Sequence, residues 1–247
     1  MKFTFLGSGS AFTMDNRQSN MILEDGGKIL LIDCGTDIRH SLKQVGLNYK
    51  DIDSVYISHL HGDHIGGLEW LALNTYFSRI KLPTLYINRF LKTKLWNALA
   101  SGLETLQGKP GDLTTFFNLG TVTKNGSFRW NNRQFQTVQT VHVMNGFEIV
   151  PSFGLLFNLN GKRVFLTTDT QFCPEQIKDF YYSADIIFQD CELATFKSGV
   201  HAHYEQLRTL EDDIKSKMWL YHYQDGALPE AVEHGFRGFV KKGHTFE

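Results

Sequence analysis

Residues 54–64, Ser54-Val55-Tyr56-Ile57-Ser58-His59-Leu60-His61-Gly62-Asp63-His64, decide how this chain is read. An apolar run suited to a buried strand ends in six residues that carry three imidazoles and one carboxylate. Imidazole nitrogen and carboxylate oxygen are what Zn²⁺ selects where thiolates are absent. On extended backbone the side chains at i and i+2 point the same way, so His59 and His61 can grip one ion. Asp63 and His64 follow where the chain turns and can aim at a second. Gly62 is expected to remove a Cβ that would obstruct the bend.

Two ions need more ligands than one turn supplies. The chain offers Val141-His142-Val143, Thr167-Thr168-Asp169-Thr170 and Tyr221-His222-Tyr223, each where an apolar strand runs out. Strand ends are the usual place for a site in layered α/β folds. Asp33, in Leu31-Ile32-Asp33-Cys34-Gly35, either orients the histidine turn or caps its own turn.

The remaining pattern predicts strands at 2–6, 20–24, 28–33 and 53–58, with the second and third forming a hairpin across Asp25-Gly26-Gly27. Helical spacing covers 36–45, 63–77 and the stripe Leu91, Leu95, Leu99, Leu103, Leu106. That stripe reads as an amphipathic helix, with a lid or a subunit contact as the sharper alternative. Strands fill 116–168, with tight turns at Asn125-Gly126 and Asn160-Gly161. Strand, helix and strand follow at 185–189, 203–214 and 218–221. Strand runs at both ends interleaved with helices predict the α/β class, an αββα sandwich. No linker or repeat interrupts the chain, so residues 1–247 are expected to form a single domain.

Composition narrows the function. Of 247 residues 42% are hydrophobic and 20 are Phe, enough for a large core. A net charge of -1 argues against a dedicated binder of long nucleic acids. Three cysteines, odd in number and widely spaced, suit a reducing compartment. No signal peptide and no apolar run near the ~18 residues of a membrane span are seen. A cytoplasmic protein with no membrane partner is expected.

His-Leu-His-Gly-Asp-His, a later isolated His, the Asp of Thr-Thr-Asp-Thr and the His of Leu-Tyr-His-Tyr together resemble the metallo-β-lactamase superfamily over nearly the whole chain. That resemblance implies its fold and two Zn²⁺ per chain, with Mn²⁺ an acceptable substitute. It implies His59, His61 and His142 on the first ion, Asp63, His64 and His222 on the second, and Asp169 bridging. Ser58-His59-Leu60-His61-Gly62-Asp63-His64-Ile65-Gly66-Gly67-Leu68 and the late Ser198-Gly199-Val200-His201-Ala202-His203 are similar to the ribonuclease Z group. There a histidine that binds no metal sits at the scissile phosphate. His201 falls on that position and His203 is the second candidate, with Asp63 also placed among the catalytic residues.

Ribonuclease Z carries its tRNA-gripping arm between the third-motif His and the bridging Asp. Here His142 and Asp169 are 27 positions apart, too few for two strands and an arm. No stable tRNA complex is expected. An armless, near-neutral member most resembles the anti-Pycsar phosphodiesterases, which destroy cyclic-nucleotide alarm signals. The resemblance implies hydrolysis of 3′,5′-cyclic mononucleotides such as cCMP, cUMP, cAMP and cGMP to 5′-monophosphates, in the cytoplasm of a bacterium or of a phage's host; a homodimer is expected from the resemblance to the ribonuclease Z group and from the Leu91–Leu106 stripe. The alternative is a tRNA 3′-processing endonuclease. A nucleobase needs an aromatic platform. Trp70, Tyr76, Phe77, Phe116, Phe117 and Tyr204 are the candidates, each also suited to a core.

Overall fold

The structure is a computed structural model and describes residues 1–123 and 126–247. The expected turn at Asn125-Gly126 therefore falls partly outside the described residues. Two seven-stranded sheets pack face to face. The first runs Thr245–Phe246, Lys2–Phe5, Met21–Asp25, Lys28–Ile32, Ser54–Ile57, Thr84–Asn88, Asn118–Val122. The second runs Gly238–Phe239, Met218–Tyr221, Ile186–Asp190, Lys162–Leu166, Ile149–Leu159, Arg133–Met144, Ser127–Trp130. Each is antiparallel on one side and parallel on the other. The change comes at Lys28–Ile32 in the first sheet and at Lys162–Leu166 in the second. Each pivot strand runs out just ahead of an acidic residue, Asp33 or Asp169.

The apolar strand positions face one another between the sheets, which accounts for the many phenylalanines. Phe3 packs edge-on to Phe157 and Phe188 at 5.6 and 5.2 Å, and Phe5 meets Tyr221 at 5.3 Å. Large rings bury much apolar area and favour such edge contacts. Close to the site the sheets are pinned by polar contacts. The Tyr56 hydroxyl donates to the Phe153 carbonyl at 2.7 Å, and the Phe153 amide donates to the Ser58 carbonyl at 3.1 Å.

Helices cover both outer faces. Ile38–Gln44, Leu68–Phe77 and Arg89–Leu103 pack on the first sheet through Ile38, Leu42, Leu68, Leu71 and the leucine stripe. Pro174–Ser183, Tyr204–Leu207 and Asp212–Lys215 cover the second through Ile177, Tyr181, Leu207 and Ile214. Among the described residues no helix is long and apolar enough to cross a membrane.

Several expectations are corrected. Leu91, Leu95, Leu99, Leu103 and Leu106 are all buried within the chain, so the stripe is core and offers no subunit contact. The helix expected over 63–77 is two helices, Gly62–Ile65 and Leu68–Phe77. The break comes where the backbone of Gly66 and Gly67 presses on the segment 34–38. A Cβ on Gly67 would lie 2.4 Å from both the Gly35 carbonyl oxygen and Ile38. Gly62 has no such role, since it begins a helix and an added Cβ would meet nothing within 4 Å. The helix expected over 203–214 is also split, at Arg208–Glu211. The turn at Asn160-Gly161 forms as expected, with both residues at positive φ.

Candidate metal centre

The cluster lies at the carboxyl ends of the parallel strands. Asp33 follows Lys28–Ile32, the histidine turn follows Ser54–Ile57, Asp169 follows Lys162–Leu166, Asp190 ends Ile186–Asp190, and His222 follows Met218–Tyr221. His142 comes from Arg133–Met144, at an irregularity between Val141 and Val143 that swings its side chain to the same end. Asp33, Thr168 and His222 take φ of 60°, 54° and 66°. Non-glycine residues in that region cost about 1–3 kcal/mol each and persist where the surroundings force them. Three strand exits at one site are bent this way.

Around Asp169 two groups of donor atoms converge, each set within 4.8 Å of one another. In the first, His59 Nε2 and His142 Nε2 lie 3.1 and 3.0 Å from His61 Nδ1. Asp169 Oδ2 is 3.7 Å from His59 Nε2 and 3.8 Å from His142 Nε2. The Nδ1 of His142 donates to the Val200 carbonyl at 2.8 Å, so Nε2 of the neutral ring keeps a free lone pair. In the second group, His64 Nε2 stands 3.1 Å from Asp63 Oδ2 and 3.3 Å from Asp169 Oδ2. His222 Nε2 stands 3.3 and 3.4 Å from the same two oxygens. Donor atoms about 2.0–2.2 Å from a tetrahedral ion would be spaced roughly 3.3–3.6 Å apart, close to what the protein presents.

The second group also leaves buried polar atoms without a hydrogen-bond partner. His64 Nδ1 donates to Asp33 Oδ2 at 2.8 Å, which leaves Nε2 facing two carboxylate oxygens with no hydrogen bond made. Asp169 Oδ1 is likewise buried and unpartnered. Buried carboxylate oxygens gathered this closely call for positive charge, which protons on the imidazoles or a bound cation can supply. The electrostatics agree. Burial works against charging His64 and His222, yet the surrounding carboxylates outweigh it and hold both imidazoles well above the usual histidine range. Burial would raise Asp63 and Asp169, but the neighbouring imidazoles keep both carboxyls ionised. His59 is driven the other way, first by burial and then by His64, so it stays neutral and able to ligate. Once a cation displaces the protons on His64 and His222, these donors fit divalent metal.

Two carboxylates sit behind the ligands. Asp33 accepts from the Ser58 amide at 2.8 Å and from its hydroxyl at 2.7 Å, besides holding His64. The Ser58 hydroxyl is in turn 3.0 Å from His59 Nδ1. Of the two roles open to Asp33, orienting the histidine turn is the one its contacts perform. Asp190 was not anticipated. It accepts from the Thr170 amide at 2.8 Å and from His201 Nδ1 at 2.7 Å.

His201 lies beside both groups and, with Asp190 and His222, completes a third cluster of donor atoms close enough to hold a cation. Its ring lies 4.9 Å from those of His142 and His222, and its side chain is 18% exposed. Burial disfavours its charge, but Asp190 more than compensates and raises its pKa. His203 is placed differently. Its Nε2 donates to the Ala194 carbonyl at 3.0 Å and its Nδ1 accepts from the Glu205 amide at 3.2 Å, capping the helix Tyr204–Leu207. Both ring nitrogens are committed to backbone, so its place among the catalytic candidates is not supported by position.

The chain and its fold have counterparts among known proteins. The profile of the family described as Anti-Pycsar protein Apyc1 matches residues 1–246. The chain belongs to the anti-Pycsar Apyc1 family. An Apyc1 protein of Paenibacillus harenae is 35% identical over 228 residues, covering 91% of this chain and 90% of that one. Another, from Bacillus phage 010DV004, is 29% identical over 259 residues, covering 100% and 98%. The metallo-β-lactamase fold protein YhfI from Bacillus subtilis superposes with a TM-score of 0.75 at 17% identity, over 99% of this chain and 98% of its own. The Apyc1 fold here is the metallo-β-lactamase sandwich that the histidine turn implies.

In this Apyc1 family member the cluster opens into a pocket of about 510 Å³. His61, Asp63, His142 and His201 form its floor, and Phe12 and Gln18 stand on its wall. None of the expected base platforms lines it. Phe116, Phe117 and Tyr204 are buried core, Trp70 and Tyr76 pack against the core, and Phe77 is exposed outside the pocket. Phe12 was missed because a lone ring in the loop Gly7–Arg17 follows no periodicity. Asp190 carried a usable signal, an acid that ends a buried strand like those near Asp33 and Asp169.

Proposed function

We propose that this protein is a dinuclear metal-dependent phosphodiesterase that opens 3′,5′-cyclic mononucleotides to 5′-monophosphates and so counteracts Pycsar signalling. The observation that carries the reading is two groups of donor atoms sharing Asp169, with His201, bonded to the buried Asp190, on the pocket above them. Family membership supplies the substrate class, and the phage relative supports a role between phage and host. His59, His61, His142 and Asp169 would hold one ion, and Asp63, His64, Asp169 and His222 the other. Zn²⁺ suits this donor set and Mn²⁺ is the accepted substitute. Bound there, the pair supplies Lewis acidity, lowering the pKa of a water toward about 7 and offsetting charge on the phosphoryl oxygens.

The chain's own residues do the rest. Asp33 and Ser58 fix the rings of His64 and His59, so the donor atoms need no reorganisation when charge develops. Asp190 holds His201 by Nδ1 and favours its charged form, leaving Nε2 to deliver a proton to the departing 3′-oxygen. Breaking the bond from phosphorus to the 3′-oxygen leaves the phosphate on the 5′-carbon. Residues 142–169 form a meander with turns at 145–148 and 160–161, which leaves no length for a tRNA-gripping arm. The reading treats residues 1–247 as one domain, because the central core draws on both sheets, and a cytoplasmic homodimer as the working form.

The test is a panel of 3′,5′-cyclic nucleotides beside a precursor tRNA, with Zn²⁺ or Mn²⁺ supplied. Turnover of the cyclic nucleotides and no tRNA 3′-end cleavage is expected. Efficient tRNA processing at physiological salt would overturn the reading.

A further inference from the structure

Phe12 is 92% exposed and makes no ring contact among the described residues, though the wall it occupies belongs to the pocket over the candidate metal ligands. A single exposed apolar side chain is ordinary. The loop beneath it is not. One carboxylate, Asp225, gathers the whole turn after Phe12. Its Oδ1 accepts from the Thr13 hydroxyl at 2.5 Å and from Asn16 Nδ2 at 2.7 Å, and its Oδ2 accepts from the Met14 amide at 2.5 Å and the Asp15 amide at 3.2 Å. The loop is sewn to the metal site at its base as well. The His222 amide donates to the Ser8 carbonyl at 2.7 Å, and the Ser10 amide donates to the Tyr223 carbonyl at 3.0 Å. Gly9 permits the tight fold-back, since a Cβ there would lie 2.5 Å from the Thr13 hydroxyl. The backbone that carries Phe12 is therefore fixed relative to His222, three residues before Asp225, by bonds at both ends of its loop.

We infer that Phe12 is the platform on which the nucleobase of the substrate stacks, and that Asp225 is the residue that positions it. This deepens the phosphodiesterase reading and rests on it. A cyclic nucleotide whose phosphate lies at the ligand groups must extend its base along the pocket wall. A loop held there in advance, carrying an aromatic ring, spares the entropy of ordering that loop on binding. Stacking needs only a π face on the base, and the ring of Phe12 offers one without hydrogen-bond selectivity. Stacking remote from phosphorus is equal in the ground and transition states, so its loss appears in KM rather than kcat.

The experiment compares KM for a 3′,5′-cyclic nucleotide with KM for the 3′,5′-cyclic phosphate of methyl riboside, which lacks a base. The wild-type protein is expected to favour the nucleotide. Phe12→Ala is expected to shrink that preference about 5- to 100-fold, the range base–aromatic stacking covers. Asp225→Ala is expected to shrink it similarly, and the double variant no further than either alone. Met14→Ala removes the other exposed apolar side chain of the loop and serves as the control, with the preference kept. Equal KM for the two substrates in the wild type, or an undiminished preference in Phe12→Ala, overturns the inference while leaving the phosphodiesterase reading intact. Additive losses in the double variant overturn the positioning role of Asp225. Failure of the wild type to cleave either substrate overturns the phosphodiesterase reading itself.

Discussion

Three of the imidazoles around Asp169 come from the single turn His59–His64, whereas His142, Asp169 and His222 arrive from three strand ends spread over 80 residues. The turn is assembled locally. Its donor residues are neighbours in sequence, and one buried carboxylate, Asp33, holds it through Ser58 and His64. The strand-end half depends on the register of the second sheet and on two residues held in the left-handed region, Thr168 and His222. The first half can be read from spacing alone. The second exists only once the sheet has formed, so its precision is a property of the fold. Asp169 joins the halves.

That comparison predicts a graded set of losses. The largest belongs to the shared residue. Asp169→Ala removes the only carboxylate common to both ligand groups. It is expected to lower turnover by at least about 10⁴-fold and to reduce bound metal, as read by elemental analysis beside the rate. Retention of two ions at full affinity would break the claim that the halves meet there.

Next comes His201, which lies in the loop between Asp190 and Tyr204 and belongs to neither ligand group as proposed. His201→Ala is expected to lower kcat by roughly 10²–10⁴-fold with metal content unchanged. The loss should be smaller for an aryl phosphodiester, whose phenolate leaves without a proton. An equal loss on both substrates would remove its role as the acid.

Asp33→Asn acts on the turn alone. Asparagine accepts the positive φ at this position, so the backbone is kept while the carboxylate behind His64 and Ser58 is lost. Metal affinity is expected to fall about 10–100-fold, measured by competition with a chelator. A loss confined to kcat would show that the turn needs no such support.

The smallest effect is expected at His203. His203→Ala should leave kcat/KM within about 3-fold and cost about 1 kcal/mol of stability through the lost helix cap, read by denaturant unfolding. A kcat loss like that of His201→Ala would return it to the chemistry.

Legibility in the sequence follows the same division. His59, His61, Asp63 and His64 announce themselves because metal chemistry is the one economical explanation for such a cluster. His142, Asp169 and His222 are visible only as polar residues ending apolar runs, and become ligands through resemblance. Asp190 has the same signature at the end of Ile186–Asp190 yet was passed over, since an acid at a strand end is also an ordinary cap. The strands at 54–57 and 218–221 were readable from their apolar runs. The helix break at Gly66-Gly67 was not, because it arises from close contact with Gly35 and Ile38, residues distant in sequence. The aromatic candidates failed for a related reason. Composition cannot separate a core ring such as Phe116 from a wall ring such as Phe12; only burial can.

The account's central claim is best tested by the product. Incubation of the metal-loaded protein with a 3′,5′-cyclic nucleotide in ¹⁸O-labelled water should give the 5′-monophosphate with one labelled oxygen on phosphorus. A 3′-monophosphate, or no hydrolysis at all with both ions bound, would contradict it.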